Sequence, residues 1–343
     1  MSQAVNRQRS KTDSLASLYG PIHGELEQVE AILRRELCSE FPKVDRLVKH
    51  GFRLGGKRLR PALVLLSAKV TGGVRPEHAV LAATMELIHT ATLIHDDVLD
   101  EADLRRQAPT VSRRWGNESA VLLGDYLFSH AFRLCSMLED PYAARLIGST
   151  AVRLTVGELL QVNRSNEFSL GEAEYFDIIR GKTASLIGAC GLLGARYAGA
   201  APPVVERMNE FGLLIGTAFQ IVDDVLDLIG NEREVGKTLG RDLDKGKLTL
   251  PLIHCLHQSG QERRASLLAL LNNGFSSHKR DNGKLERSRR IVELLREADS
   301  FDYARTAAET NVRRALEILQ DLPPSPARES LAALAEFIVE RRT

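Results

Sequence analysis

The stretch Leu93–Arg106, LIHDDVLDEADLRR, sets five acids within eight residues directly behind the apolar-rich run Met85–Ile94, and the pentapeptide DDVLD returns at Asp223–Asp227. On a helix that turns about 100° per residue, Asp96 and Asp100 lie nearly above one another and Asp97 falls on the same side. Val98 and Leu99 point elsewhere. The second copy repeats the pattern with Asp223, Asp224 and Asp227, while Val225 and Leu226 pack. Like charges at i,i+4 oppose helix formation, Asp is a weak helix former, and a carboxylate buried without a partner costs several kcal/mol. Water, arginines or a divalent cation can relieve such a face. A lone acidic run suits water; two identical clusters, each behind an apolar helix, favour the cation. Hard oxygen donors in this number suit Mg2+, which takes one or two carboxylates per ion and completes its sphere with water and phosphate oxygens. A calcium loop fits less well, because the acids sit on helices without the loop glycine.

Anion-binding groups accompany the acids. Gly55–Pro61, GGKRLRP, carries Lys57 and Arg60 at a glycine-led helix start, where backbone N–H groups also favour anions. Arg105 and Arg106 follow the first acid cluster. Gly181-Lys182-Thr183 and the stretch Gly236–Pro251, with Lys237 and Lys247, complete the set. A P-loop fails here: it needs glycine at 241, where Arg241 stands, and Ser or Thr at 248, where Leu248 stands. Each basic group alone reads as solvated surface; beside two Mg-type clusters the joint reading is recognition of a diphosphate. His89 lies seven residues before Asp96 and shares its face, which makes it a candidate ligand contact. His95 reads as structural, and His254 with His257 as a packed or solvent-facing pair rather than a metal site.

The elements that must hold these residues are helical. The chain has 343 residues, 43% hydrophobic and 27% charged, with formal net charge +1, so no global basic field for nucleic acid exists. No run of about 18 apolar residues suggests a membrane span. Residues 1–20 open on a polar stretch without an apolar signal core and read as a flexible tail, leaving 21–343 for the domain. Cys38, Cys135, Cys190 and Cys255 form no CxxC pair and read as reduced thiols of a cytoplasmic protein. Leu-, Ala- and Glu-rich helical periodicity dominates. It predicts helices over about 21–38, 42–50, 58–71, 76–99, 117–138, 141–164, 171–180, 182–198, 202–229, 249–258, 262–272, 286–298, 300–319 and 325–341. Residues 272–289, polar and basic, read as a surface loop. The expected fold is all-α, a single large many-helix bundle.

With these motifs in place the chain resembles the trans-isoprenyl diphosphate synthases, or polyprenyl synthetases. The resemblance rests on GGKRLRPAL at 55–63, ELIHTATLIHDDVLDEADLRR at 86–106, GNESAVLLGDYL at 116–127, RGKTASL at 180–186, FQIVDDVLDLIG from 219 and GKTLGRDLDKGKLTLP ending at 251. It implies an isoprenoid-synthase bundle around a deep central cavity. The reaction it implies is Mg-dependent head-to-tail condensation of isopentenyl diphosphate with an allylic diphosphate, farnesyl or geranylgeranyl diphosphate, giving E double bonds. By the same resemblance Asp96 and Asp100 chelate two Mg2+ ions and Asp223 a third, with Asp97, Asp224 and Asp227 completing the metal set as supporting acids. Arg105, Lys182 and Lys247, assisted by Lys237, hold the allylic diphosphate. Lys57, Arg60, His89 and Arg106 hold isopentenyl diphosphate, and Thr183 and Gln220 face the reacting carbons. Gln107 departs from the glycine usual after the paired arginines, which puts the local turn in question. Ala91 and Thr92, the fifth and fourth residues before Asp96, are small where aromatics would stop chain growth early, so Ile88 and Met85 or Leu127, Phe128 and Phe132 become the stops. The implied product is C30 to C50, with octaprenyl the best match and a shorter-chain C15 to C20 product the alternative. A homodimer and transient contact with a membrane surface for product release also follow. A class I terpene cyclase, a non-catalytic partner subunit and a metal-buffering protein are the competing readings; intact acid motifs and the set Lys57, Arg60 and Arg106 disfavour them.

Overall fold

A computed structural model describes residues 17–53, 56–230, 240–273 and 281–341. Helices account for nearly all of the regular structure, as the periodicity requires. In chain order they are α1 (His23–Glu36), α2 (Pro42–Arg53), α3 (Leu59–Thr71), α4 (Pro76–Leu99), α5 (Val111–Trp115), α6 (Asn117–Ser136), α7 (Tyr142–Asn163), α8 (Glu172–Ile179), α9 (Ser185–Tyr197), α10 (Pro202–Ile229), α11 (Arg241–Asp244), α12 (Leu250–Gln258), α13 (Gln261–Asn273), α14 (Asp281–Glu297), α15 (Ser300–Gln320) and α16 (Pro326–Glu340). A 3-10 turn, Gly20–Ile22, precedes α1, and a π-helical turn, Arg180–Ala184, joins α8 to α9. Among the described residues the strands are the two-residue β1 (Leu104–Arg105) and β2 (Ala108–Pro109), paired antiparallel. No helix among those residues is long and apolar enough to cross a membrane.

The chain gathers into two compact units. The first comprises Met1–Ser149, Ile187–Gly212 and Leu316–Ala335. Its centre is α4, buried on both its apolar side, Leu81, Met85, Leu87, Ile88, Ala91 and Ile94, and its polar one, Glu86 and Thr90. A helix buried this widely must be surrounded, and α4 is packed by α1, α3 and α6. The α4–α6 approach is close at Gly124, where a Cβ would collide with the His95 ring. His95 Nε2 lies 3.1 Å from the Val121 carbonyl, so His95 is a packing residue of that crossing.

The second unit comprises Thr150–Leu186, Leu213–Ala315 and Glu336–Thr343. Its core includes Tyr175, Ile178 and Ile179 from α8, Ile215, Ala218 and Ile221 from α10, and Leu252, Ile253 and Leu256 from α12. α14 adds Ile291, Leu294 and Leu295.

Three sequence expectations change. The stretch expected as a surface loop over 272–289 is helical from Asp281 onward. Its Lys, Leu, Glu and Arg residues are good helix formers, and the buried Ile291 and Leu294 anchor the helix they extend. The expected tail over 1–20 gives way to placed residues before its end: the Tyr19 hydroxyl donates to the Lys57 carbonyl at 2.9 Å. The helix expected from 182 begins as the π turn at Arg180 and becomes α-helical only at Ser185.

Candidate active site

In the first unit the acids sit where a helix ends. Asp96 lies in the last turn of α4, and Asp100 is its C-cap, with its N–H bonded to the Asp96 carbonyl at 2.7 Å. The C-terminal end of a helix carries partial negative charge, so half-buried carboxylates there repel the backbone as well as each other; a cation relieves both. Asp97, buried, turns instead to Arg105, whose Nε lies 2.9 Å from Oδ1 and 3.0 Å from Oδ2. Fork geometry of this kind fixes orientation as well as charge.

Arg105 can reach back because the chain reverses in the β1–β2 hairpin, with Leu104 opposite Pro109 and Arg105 opposite Ala108. The two turn residues, Arg106 and Gln107, have φ of 52° and 64°. A two-residue turn with both φ positive matches the twist of the strands but favours Asn-Gly. The turn therefore forms without the glycine, with two side-chain-bearing residues held in the left-handed region, a strain of the kind that gathers at functional sites. Thr110 fastens the hairpin: its hydroxyl donates to the Ala102 carbonyl at 2.5 Å and accepts the Arg113 N–H at 3.2 Å, capping α5.

The cations of this unit gather around His89. Arg106 folds over Gly56, where an added Cβ would stand 2.8 Å from Nη2. Arg58 is committed to carboxylates, with Nε 2.5 Å from Glu30 and Nη1 2.8 Å from buried Glu86. Arg60 differs: its Nε is buried and has no hydrogen-bond partner, and desolvation lowers its pKa. Burial, and then the fields of Arg60, Arg105, Arg106 and Arg58, push His89 well below the usual imidazole range and keep it neutral. A buried guanidinium N–H lacking an acceptor is costly, so this pocket of charge is suited to an anion. Lys57 is exposed and, with Arg58, Tyr19, His23 and Glu30, lines a groove of about 420 Å³.

In the second unit the acids again lie in the last turns of a helix, α10. Asp223 is 3.0 Å from Nη1 of Arg341, whose guanidinium also stacks 4.5 Å over the Phe219 ring. Asp227 is buried and binds the following loop: its carbonyl accepts the Gly240 N–H at 2.8 Å, and Oδ2 accepts the Asp242 N–H at 3.1 Å. Asp224 takes a hydrogen bond on each oxygen, from Tyr175 Oη and from Gln220 Nε2, both at 2.7 Å. Burial, with the Asp242 carboxylate adding to it, raises the Asp224 pKa to about 7.

The π turn presents the basic side of this unit. Such a turn is frequent at functional sites, and here it lies so close to α7 that a Cβ on Gly157 would collide with the Lys182 N–H. From it Lys182 Nζ reaches Glu158 at 2.6 Å and Gln161 at 2.8 Å. Thr183 Oγ1 donates to Gln220 Oε1 at 2.7 Å. Lys247 Nζ stands 3.8 Å from Asp242. The loop bearing it is braced by the Asn166 N–H on the Gly246 carbonyl at 2.9 Å and by Arg287 on Asp244 at 3.0 Å. Lys237 lies outside the described residues.

Within each unit, then, the residues singled out from sequence come together: Asp96, Asp97, Asp100, Arg60, His89, Arg105 and Arg106 in the first, Lys182, Thr183, Gln220, Asp223, Asp224, Asp227 and Lys247 in the second. Sequence reasoning missed Tyr175, Glu158, Asp242 and Arg341. Tyr175 stands seven residues before Lys182, a helical spacing that places the two on one side; nothing in the sequence marks Arg341. No three His, Cys, Asp or Glu side chains among the described residues form a protein-only metal cage. The crowded carboxylates at two helix ends fit Mg2+, which leaves most of its positions to water and phosphate.

The polyprenyl synthetase family model matches residues 41–286. A nonaprenyl diphosphate synthase of Mycobacterium tuberculosis is 37% identical, covering 93% of each chain. A short chain isoprenyl diphosphate synthase of Methanothermobacter thermautotrophicus is 36% identical over 92% of this chain and 96% of its own. The crystal structure of a polyprenyl synthase from Caulobacter crescentus, complexed with calcium and isoprenyl diphosphate, superposes with TM-score 0.89 at 33% identity, covering 96% of this chain and 98% of that one. The chain belongs to the polyprenyl synthetase family and is a prenyltransferase.

Proposed function

We propose that the protein elongates an allylic diphosphate, farnesyl or geranylgeranyl diphosphate, by repeated head-to-tail addition of isopentenyl diphosphate, with Mg2+ as cofactor and a product of C30 to C50, octaprenyl diphosphate being the best match. The observation that carries this reading is the joint presence in one unit of metal-type carboxylates, Asp96 and Asp100, and an anion-seeking set, Arg60, Arg106 and neutral His89. Acids alone would suit a metal buffer; arginines alone would suit any anion. Together they suit a diphosphate that arrives with a divalent cation.

The roles follow from charge. Breaking the allylic C–O bond leaves a carbocation and a diphosphate, and the diphosphate carries most of the charge change. Bound Mg2+ would supply Lewis acidity toward that leaving group. Asp96, Asp100 and Asp223 are the proposed ligands, three ions in all, and Asp97, Asp224 and Asp227 hold the surrounding framework. Arg105, Lys182 and Lys247 neutralise the allylic diphosphate. Lys57, Arg60, His89 and Arg106 bind isopentenyl diphosphate, where His89, being neutral, donates a hydrogen bond without adding charge. Thr183 and Gln220 offer oxygen dipoles to the developing cation without a nucleophile strong enough to trap it. The last proton leaves to the departed diphosphate.

Chain length is read on α4. Ala91 is buried and small, and Thr92 turns its hydroxyl back to the His89 carbonyl at 2.8 Å. Ile88 and Met85, deeper on the same helix, and Leu127 on α6 are buried and bulkier; they are the proposed stops. Val152, Val156 and Leu159 form an apolar stripe along α7, exposed by 63%, 47% and 56%, which supports a homodimer. The buried thiols Cys135, Cys190 and Cys255 support a reducing, cytoplasmic setting, with product handed to a membrane surface.

Purified chain incubated with Mg2+, farnesyl diphosphate and labelled isopentenyl diphosphate should yield labelled polyprenyl diphosphates of C30 or longer. Hydrocarbon released without isopentenyl diphosphate would replace this reading with a cyclase. No turnover would indicate a partner subunit, and a C15 or C20 end product would overturn the chain length.

A further inference from the structure

Four side chains of the second unit form a hydrogen-bond chain between Tyr175 and Thr183, with the donors converging on Asp224. The Gln220 amide turns its NH2 end to Asp224, donating to Oδ1 at 2.7 Å. The oxygen end must then face Thr183, and the Thr183 hydroxyl donates to it at 2.7 Å. A glutamine amide is nearly symmetric in shape; only its partners decide which way it lies. Here the decision is made by Asp224, one residue removed from the chemistry. Asp224 in turn is held on its other oxygen by Tyr175, 2.7 Å away. Tyr175 is itself buried on α8, and burial beside Asp224 keeps its phenol protonated and therefore a donor.

We propose that Tyr175 is a positioning residue for the condensation: its hydroxyl pins the Asp224 carboxylate, which fixes the Gln220 amide with its oxygen toward Thr183. The inference deepens the proposed function, since it is that reading which places Thr183 and Gln220 at the reacting carbons. With Tyr175 present, the Thr183 proton is committed to Gln220, and the remaining lone pairs of both oxygens are the negative ends available to a developing cation. Without it, the carboxylate is free to rotate, the amide loses its fixed direction, and an N–H can replace the oxygen where a positive carbon must form. Binding of the diphosphates, carried by metal ligands and cations elsewhere, is left as it was.

Two measurements on the full-length protein test this. The first needs no substrate: thermal unfolding of wild type, Tyr175→Phe, Thr183→Val and the double variant. A connected chain predicts non-additive losses, the double variant melting at least about 2 °C higher than the sum of the single shifts allows. Additive shifts overturn the proposal. The second is steady-state kinetics of Tyr175→Phe, expected to lower kcat about tenfold or more, roughly 1.4 kcal/mol, with KM for both diphosphates and the Mg2+ requirement within about twofold of wild type. An unchanged kcat, or a rise in KM that accounts for the whole loss, overturns the positioning role. Should Tyr175→Phe fail to fold, Asp224→Asn interrogates the same chain from its centre. It must show the same kcat loss and the same non-additivity with Thr183→Val, and additivity there refutes the chain. If wild type elongates nothing, the proposed function falls, while the unfolding cycle still decides whether the chain exists.

Discussion

Arg105 grips both oxygens of Asp97, and the pair joins the last turn of α4 to the β1–β2 hairpin across eight residues of sequence. Asp97 is buried and Arg105 about a quarter exposed, at 27%. Removing Arg105 takes away the guanidinium that grips a carboxylate in the interior, a change that costs on the order of 3 kcal/mol in buried pairs. Arg105→Ala should lower Tm by several degrees and open the hairpin to limited proteolysis. Arg105→Lys, which keeps the charge and loses the fork, should fall between. Equal stability of the alanine variant and wild type, measured by urea unfolding, would show that the pair contributes nothing.

Arg60 predicts the opposite sign. Its buried Nε lacks an acceptor, so Arg60→Met, which keeps the bulk and drops the charge, should leave the ligand-free protein as stable as wild type or more so. Inorganic pyrophosphate with Mg2+ should raise the Tm of wild type and do so much less for the variant. A charged hydrogen bond of about 1.5–3 kcal/mol corresponds to roughly 10- to 150-fold in affinity. A strongly destabilised Arg60→Met with unchanged pyrophosphate binding would mean that Arg60 serves the fold.

His78 sets a pH limit on stability. It is buried on α4, with Nδ1 accepting the Arg75 N–H at 2.8 Å and Nε2 donating to the Gly194 carbonyl at 3.0 Å. That arrangement needs a neutral ring, and desolvation lowers its pKa below the ordinary value of 6.5. A group whose folded pKa is depressed and whose charged form is the protonated one binds more protons when unfolded. Its contribution is therefore complete above pH 6.5 and is lost as pH falls toward the folded pKa, at no more than about 1.4 kcal/mol per pH unit. Unfolding free energies of wild type and His78→Gln between pH 7.5 and pH 5 should converge as pH drops; parallel curves would remove His78 from the account.

Product length should answer to Ala91. Because the residue is buried on α4, Ala91→Leu and Ala91→Phe add graded bulk at one site. Both should shorten the end product, phenylalanine more, with the first condensation still competent. Chromatography of the dephosphorylated products reads the shift directly. An unshortened product from a stably folded Ala91→Phe protein would move the stop elsewhere.

Much of this is legible in the amino-acid sequence alone. The acid pairs were readable because a 100° step puts Asp96 with Asp100 and Asp223 with Asp227, and Leu- and Ala-rich periodicity gave α4 and α10 their buried sides. What stayed hidden was set by backbone and by distance along the chain. The Arg106-Gln107 turn lacks the glycine that announces such a turn, so strain replaced composition as its signal. Tyr175 reads as an ordinary core aromatic until Asp224, 49 residues on, is brought to its hydroxyl. Arg341 meets Asp223 from the last described residue of the chain, beyond the reach of any local pattern. Asp281–Arg289 looked like a loop because its polarity was visible and its role as an extension of the Ile291–Leu295 anchor was not.

The first acid cluster closes out α4, and Asp227 stands in the last turn of α10, so each adds charge where the peptide dipoles already point the wrong way. The protein's heat tolerance should accordingly double as a gauge of free magnesium, climbing with the salt even when no diphosphate is offered. A preparation stored in chelator should fray first at residues 96–100 and 223–229, where amide exchange would record the loss before any assay did.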